Sequence, residues 1–280
     1  MQHEQILKFF AKYIEQELGI VYAEHNYFQL QNRLEDIAKL VGAPSLEALY
    51  DQAKVEISGS FKQLLLDVAT NNETSFFRDP KVFRAIESVV LKNAAGFLTP
   101  GETLRIWSAA ASTGQEALSI AMTIKEFNAK EKTNIQFSIL GTDISERALA
   151  KCQSRTYSQL EVQRGLPAPY MIKYFKKDEQ DRWIASPDLA SLMEFKKLNL
   201  KAAFHFKDKF HLILCRNVLI YQSVESKMEI LNRMEQVLVP GGFLVLGAGE
   251  SLMGLSPAFE QRTVDGALVY QKRDGLTRAA

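Results

Sequence analysis

Four short stretches carry the side chains best suited to chemistry. In the first, an apolar run from Leu104 to Ala111 meets the small-residue turn Ser112-Thr113-Gly114, and a helix-compatible stretch, Gln115 to Phe127, follows at once. A strand that runs into a helix N-terminus leaves backbone N–H groups unpaired, and small side chains let a nucleotide-like ligand approach them. The loop holds one glycine and does not spell G-x-G-x-x-G, so dinucleotide binding is poorly supported and a plain strand-to-helix turn remains the competing reading. Glu116 stands in the first helical turn beyond the loop. There it either complements the helix dipole or pairs with a cationic ligand and repels a pyrophosphate. The second reading favours a nucleoside bearing positive charge, such as S-adenosylmethionine, over a nicotinamide dinucleotide.

Asp143 ends the stretch Ile139-Leu140-Gly141-Thr142-Asp143. A carboxylate there can accept hydrogen bonds from both hydroxyls of a ribose held on the preceding strand's loop. It can equally cap the helix that begins near Ser145. Arg216 and Asn217 follow Leu212-Ile213-Leu214-Cys215, at the carboxyl end of a fourth strand. That end opens on the ligand crevice of an open α/β sheet, and burying these polar groups without partners would be costly. Upstream, Asn72, Thr74 and Arg78 crowd beside Phe76 and Phe77, where they could close over a ligand from the opposite side. His3, His25, His205 and His211 show no metal-ligand spacing, and no Ser/His/Asp or Cys/His arrangement stands out, so no metal is expected. Cys215 reads as a small hydrophobe inside a strand.

The elements that must position these groups fall into two sets. Residues 1–75 read as helical throughout. Phe9, Phe10, Tyr13, Ile14 and Leu18 recur at helical spacing before Gly19, and a second helix covers Tyr27 to Val41 with Gly42 at its end. Ser45 caps a third helix, Leu46 to Ala53, and Phe61 to Val68 make a fourth. From Pro80 the pattern changes. A helix from Lys81 to Ala95 precedes a break at Leu98-Thr99-Pro100-Gly101. Strands at 104–110, 136–142, 210–214 and 242–246 then alternate with helices at 115–127, 146–153 and 225–238. This is the signature of a mostly parallel, doubly wound sheet. Asp265-Gly266 between Phe259–Val264 and Ala267–Lys272 predicts an antiparallel hairpin at the C-terminal edge. Residues 157–197, with Tyr157, Tyr170, Tyr174, Phe175 and Trp183, interrupt the rhythm and read as an inserted β-rich excursion, and the tail from Asp274 to Ala280 reads as frayed.

Bulk numbers narrow the class. At 280 residues, 46% hydrophobic and 24% charged, the chain has the composition of a soluble globular protein. No apolar run reaches the roughly 18 residues needed to span a bilayer, and the N-terminus carries no basic-then-apolar leader. Cys152 and Cys215 are far apart and read as reduced thiols, which fits a cytoplasmic protein. A net charge of +1 argues against a broadly basic nucleic-acid binder. The distribution is uneven: residues 1–75 hold six Lys/Arg against eleven Asp/Glu, a net of −5, which leaves +6 for the remainder.

These residues together resemble the chemotaxis receptor methyltransferases of the CheR type, over nearly the whole chain. The resemblance rests on Asn72-Glu73-Thr74-Ser75-Phe76-Phe77-Arg78-Asp79, on Arg105-Ile106-Trp107-Ser108 with Ser112-Thr113-Gly114, and on Gly141-Thr142-Asp143-Ile144. It continues through Asn199-Leu200, Cys215-Arg216-Asn217-Val218-Leu219-Ile220-Tyr221 and Pro240-Gly241-Gly242. It implies a Rossmann-like class I methyltransferase domain over 76–280, an inserted β-subdomain at 157–197 and a receptor-docking helical domain at 1–75. It implies protein-glutamate O-methyltransferase activity on the cytoplasmic domains of chemoreceptors, with S-adenosylmethionine as donor and S-adenosylhomocysteine as product. The donor would touch Asn72, Thr74, Arg78, Glu116, Asp143, Asn199, Leu200, Arg216 and Asn217. For the reaction, Arg78 or Arg216 could orient the accepting carboxylate and Tyr221 could line the methyl channel.

The chain departs from the family's pattern in three places. Gly114-Gln115-Glu116-Ala117-Leu118 stands where the family often has Gly-Glu-Glu-Pro-Tyr, with Glu116 retained. The helical domain is acidic, so docking would depend on local groups such as Arg33 and Lys39. Lys176-Lys177-Asp178-Glu179-Gln180-Asp181-Arg182 lacks the glycine-containing loop of members that hold a receptor's C-terminal pentapeptide, so no strong pentapeptide binding is expected. The alternatives are a methyltransferase of the same fold acting on another protein or a small acid, and a non-catalytic scaffold that binds donor or product.

Overall fold

The computed structural model describes residues 2–94, 98–99 and 101–273. The expected helix end at Ala95, Pro100 of the break and the tail from Asp274 lie outside the described residues. Four helices open the chain: α1 (Gln2–Leu18), α2 (Tyr27–Val41), α3 (Leu46–Val55) and α4 (Gly59–Ala69). Ile6, Phe10, Ile14, Leu30, Leu34, Ile37, Leu49 and Leu65 close on one another as a core of their own. Each such side chain contributes about 1.5–3 kcal/mol on burial. The local stops are those the sequence predicts: Gly42 ends α2 in the left-handed region, and the Ser45 hydroxyl accepts the Ala48 N–H at 3.2 Å. Arg33 is engaged inside the helical domain. Its Nη1 donates to the Tyr22 hydroxyl at 2.7 Å and to the Ala69 carbonyl at 2.8 Å, tying α2 to the segment that leaves the helical core.

The remainder is built on a seven-stranded sheet. Its strands are β1 (Leu104–Ala109), β2 (Phe137–Asp143), β6 (Met193–Lys197), β7 (Phe210–Cys215), β8 (Leu238–Leu246), β9 (Phe259–Val264) and β10 (Ala267–Lys272), in the order β6-β2-β1-β7-β8-β10-β9. The first five run parallel, with Ile106 opposite Ile139 on one side and Leu212 on the other; β10 runs antiparallel to both neighbours. Alternate residues of each strand feed two layers. Ile106, Ile139, Leu212, Leu214 and Val245 pack with α5 (Pro80–Ala85) and α6 (Gln115–Glu131). Trp107, Ile213, Cys215, Leu244 and Leu246 pack with α11 (Val224–Val237). Helices on both faces explain why the central strands read as unbroken apolar runs. Asp265 and Gly266 both take positive φ, as a two-residue type I′ hairpin requires. Among the described residues, no helix is long and apolar enough to cross a membrane.

Three elements differ from the sequence expectation. Met193–Lys197 does not belong to the insertion but pairs parallel with β2 as the edge of the main sheet, Asp143 opposite Lys197. An edge strand is half exposed, so its alternation looks like that of an independent sheet. The insertion itself is a three-stranded antiparallel sheet of β3 (Thr156–Tyr157), β5 (Trp183–Ala185) and β4 (Phe175–Lys177) with short helices α8 (Gln159–Gln163), α9 (Ala168–Tyr174) and α10 (Pro187–Ala190), and is therefore less β-rich than expected. Beyond α5, residues Ile86–Leu91 wind as a π-helix and not as a continued α-helix. Between α6 and the insertion, α7 (Glu146–Ser154) completes the set.

Candidate active site

The carboxyl ends of β1, β2 and β7 open on a cleft, closed from the other side by the 70–78 segment and the end of α1. Asn72, Thr74, Arg78, Glu116, Asp143, Asn199, Leu200, Arg216, Asn217 and Tyr221 all line it. Phe76 and Phe77 explain how the upstream segment is held. Phe76 is fully buried edge-on to Tyr157 and Phe175, and the Phe77 N–H donates to the Ser119 hydroxyl at 3.0 Å.

The loop after β1 needs unusual backbone. Ala110, Ser112 and Gly114 all have positive φ, and Phe77, Asp79 and Asn217 around the same cleft do too. Such strain persists only where surroundings fix it. Here the Ser112 N–H donates to Asp143 at 2.8 Å, the Ser112 hydroxyl to the Asn72 carbonyl at 2.8 Å, and the Tyr157 hydroxyl to the Thr113 carbonyl at 2.9 Å. A Cβ on Gly114 would sit 3.1 Å from that same hydroxyl and 3.2 Å from Cys152 Sγ, which is why the loop keeps a glycine there.

Asp143 is not the helix cap. Ser145 caps α7 through its own hydroxyl, and Asp143 instead clamps the N–H groups of Ser112 and Ser145, one on each oxygen. Each oxygen keeps lone-pair capacity for a ribose hydroxyl. Burial pushes the Asp143 carboxyl above the usual range, against the pull of those backbone N–H groups.

Glu116 and Arg216 meet. The Arg216 side chain is 2% exposed; its Nη1 donates to Glu116 at 3.0 Å, and its Nη2 to Asp79 at 2.8 Å and to the Arg78 carbonyl at 2.6 Å. The other Glu116 oxygen accepts the Ser108 hydroxyl at 2.7 Å. Both terminal nitrogens of Arg216 are thus engaged within the protein, while its Nε makes no hydrogen bond among the described residues. Arg78 differs. It is half-buried, its one bond runs from Nη1 to the Glu73 carbonyl, and among the described residues it makes no ion pair. Tyr221 is 39% exposed and accepts the Asn71 amide at 3.3 Å.

Two groups behind the cleft lining, Lys201 and Glu250, escaped the sequence reading. Asn199 lines the cleft but also donates to the Glu17 carbonyl at 2.8 Å, and Lys201 Nζ donates to the Glu15 and Gln16 carbonyls at 2.9 and 2.7 Å, so together they cap α1. Val21 N–H to the Tyr221 carbonyl, 2.9 Å, joins the same two regions. Glu250, behind the Asn217 segment, accepts backbone N–H groups there. Its only signal in the sequence is a carboxylate in Gly247-Ala248-Gly249-Glu250, directly beyond a strand's ligand end.

Residues 72–267 match the family model described as CheR methyltransferase, SAM binding domain. The chain belongs to the CheR methyltransferase family. The chemotaxis protein methyltransferase Cher2 of Pseudomonas putida is 34% identical over 268 residues, covering 94% of this chain and 96% of the relative. The chemotaxis protein methyltransferase of Vibrio parahaemolyticus is 35% identical over 272 residues, 96% and 97% respectively. Among solved structures, the magnesium protoporphyrin IX methyltransferase of Synechocystis PCC 6803 with bound SAM aligns over 78% of this chain and 86% of that one, at 14% identity and a TM-score of 0.39, too low to carry an argument.

The cleft of this CheR family member suits the donor. Glu73, Glu116 and Asp143 are lining carboxylates and Arg78 and Arg216 lining guanidiniums, a net of −1, with the Asp79 carboxylate directly behind Arg216. Asp143 would hold the ribose, and the Glu116 side would face the cationic end. Replacement of Asp143 by Asn, which keeps the volume but not the charge, is expected to weaken S-adenosylhomocysteine at least about tenfold by calorimetry. Because burial raises the Asp143 pKa, wild-type affinity should fall as pH drops through that raised value, and the variant should not show this fall. Unchanged affinity in the variant would remove the ribose role.

Proposed function

We propose that the protein transfers the donor methyl group to glutamate side chains on the cytoplasmic domains of chemoreceptors, forming methyl esters. The observation that carries this reading is a net negative cleft whose lining holds no His, Lys or Cys among the described residues, and on which Arg78, without an ion pair among those residues, and the exposed Tyr221 both lie. Such a lining offers no imidazole, amine or thiol as a base, and a glutamate acceptor needs no base at all. Its unperturbed pKa is near 4.3, so it is ionised at neutral pH. A sulfonium donor supplies the electrophilic methyl: the carboxylate oxygen bonds to the methyl carbon, the C–S electron pair stays on sulfur, and a neutral thioether leaves. No proton moves.

What remains for the chain is placement, where orientation contributes roughly 7–11 kcal/mol. Arg78 orients the accepting carboxylate, and Tyr221 lines the path of the methyl group. Glu116 and Asp79 hold Arg216 so that its charge does not compete for the acceptor. Residues 1–75 form the receptor-docking domain of this reading. With Arg33 engaged internally, Lys39, which is exposed and pairs with Asp36, is the surviving candidate contact of the two.

The β4–β5 connection supports the absence of a receptor-tail tether. Residues 178–182 form a short loop locked on itself: Asp178 accepts the Arg182 backbone N–H and Nε, both at 2.8 Å, and Asp181 supplies the left-handed turn in place of a glycine.

Incubating the protein with methyl-labelled donor and a chemoreceptor cytoplasmic fragment should give base-labile label on fragments bearing glutamate, and none where those glutamates are glutamine. Donor binding without any label transfer would favour the scaffold alternative. Titration with a receptor C-terminal pentapeptide should show no saturable binding in the micromolar range, and micromolar affinity would reinstate a tether.

A further inference from the structure

Outside the cleft lining, against the back of its Asn217–Tyr221 wall, lies a carboxylate with an unusual set of partners. Glu250 is 6% exposed, and all four of its hydrogen bonds come from backbone N–H groups. One oxygen accepts Asn217 at 2.8 Å and Gly247 at 2.7 Å; the other accepts Val218 at 2.9 Å and Ile220 at 3.1 Å. Four donors saturate what a carboxylate can accept. No ion pair to it forms among the described residues, so the backbone amides alone offset the cost of its burial.

We propose that Glu250 is a positioning residue for methyl transfer, fixing the Asn217–Tyr221 wall of the donor cleft without touching the donor. Three observations converge on this. The amides it gathers are those of the segment between Arg216 and Tyr221, both at the cleft. Asn217 sits at φ +60°, a left-handed conformation that asparagine adopts more readily than most residues, and its N–H is held there by Glu250. Gly247 completes the cradle: a Cβ there would lie 2.8 Å from the Asn217 nitrogen, 2.7 Å from its side-chain nitrogen and 2.8 Å from a Glu250 oxygen. Glu250 thus joins the carboxyl ends of the adjacent strands β7 and β8, the first of which opens on the cleft.

The inference rests on the cleft being the donor site, and the test keeps the two apart. In the full-length protein, Glu250→Gln turns one acceptor oxygen into a donor facing two backbone N–H groups. Hydrogen exchange at Asn217, Val218 and Ile220 should accelerate at least about a hundredfold while amides inside β7 stay protected. S-adenosylhomocysteine affinity should fall at least about tenfold, with the donor KM rising by a similar factor. Val245→Ala, a buried change in the same region of the core, should lower the thermal midpoint without moving either readout. If the Gln variant does not fold, Gly247→Ala is expected to give the same signature, since its Cβ pushes on the same atoms. Unchanged exchange at 217–220 overturns the clamp whether or not the donor binds. Faster exchange with undiminished donor affinity overturns its role in the site.

Discussion

The Arg216 guanidinium, 2% exposed at the end of β7, lies between the carboxylates of Glu116 and Asp79 and against the Arg78 carbonyl. Burying an unpaired charge of this kind costs several kcal/mol, and excellent geometry on more than one side is needed to offset it. Three segments far apart in the chain meet here: the 78–79 turn before α5, the first turn of α6, and the strand end that carries Arg216 itself. Burial of Arg216 therefore requires all three to converge, and where they converge is the cleft. One cation against two carboxylates also leaves negative charge in excess, which suits a cationic donor and disfavours a phosphate.

Much of the surrounding strain is comprehensible from this centre outward. Phe77, Asp79, Ala110, Ser112 and Asn217 hold positive φ within the segments that meet there. All but Ala110 are held by named contacts: Ser119 on the Phe77 N–H, Arg216 on Asp79, Asp143 and Asn72 on Ser112, and Glu250 on Asn217. The insertion participates through Tyr157, whose hydroxyl caps the loop carbonyl and whose ring packs on Phe76. The helical domain participates through α1, whose last carbonyls are capped by Asn199 and Lys201 from the rim of the cleft. Asn199 thus belongs both to the cleft lining and to the contact that holds α1.

How much of this was legible in the sequence follows from the range of each determinant. Gly42, Ser45 and Asp265-Gly266 act within a few residues, and the structure places those ends where the sequence predicts them. The central strands were legible because burial on both faces leaves continuous apolar runs. Polar residues at their ligand ends, Asp143, Arg216 and Asn217, stood out against that background, and the structure gathers them along one cleft. Roles set by distant partners were not legible. Nothing local to Arg216 says that Glu116 and Asp79 will occupy it, nor that Arg33 will turn inward to Tyr22 and Ala69. Met193–Lys197 was misplaced because an edge strand has the alternation of a separate small sheet. Glu250 is a lone acid among glycines until β7 and β8 lie side by side.

The central claim is that the Arg216–Glu116 contact assembles the cleft. It is tested most directly by a double-mutant cycle with Arg216→Met, Glu116→Gln and the pair together, read by denaturant unfolding. Each single change should destabilise, and the double variant should recover at least about 1 kcal/mol of the summed loss, because the Met/Gln combination leaves no buried charge from this contact. Additivity within about 0.5 kcal/mol would show that the two side chains do not depend on one another and would contradict it.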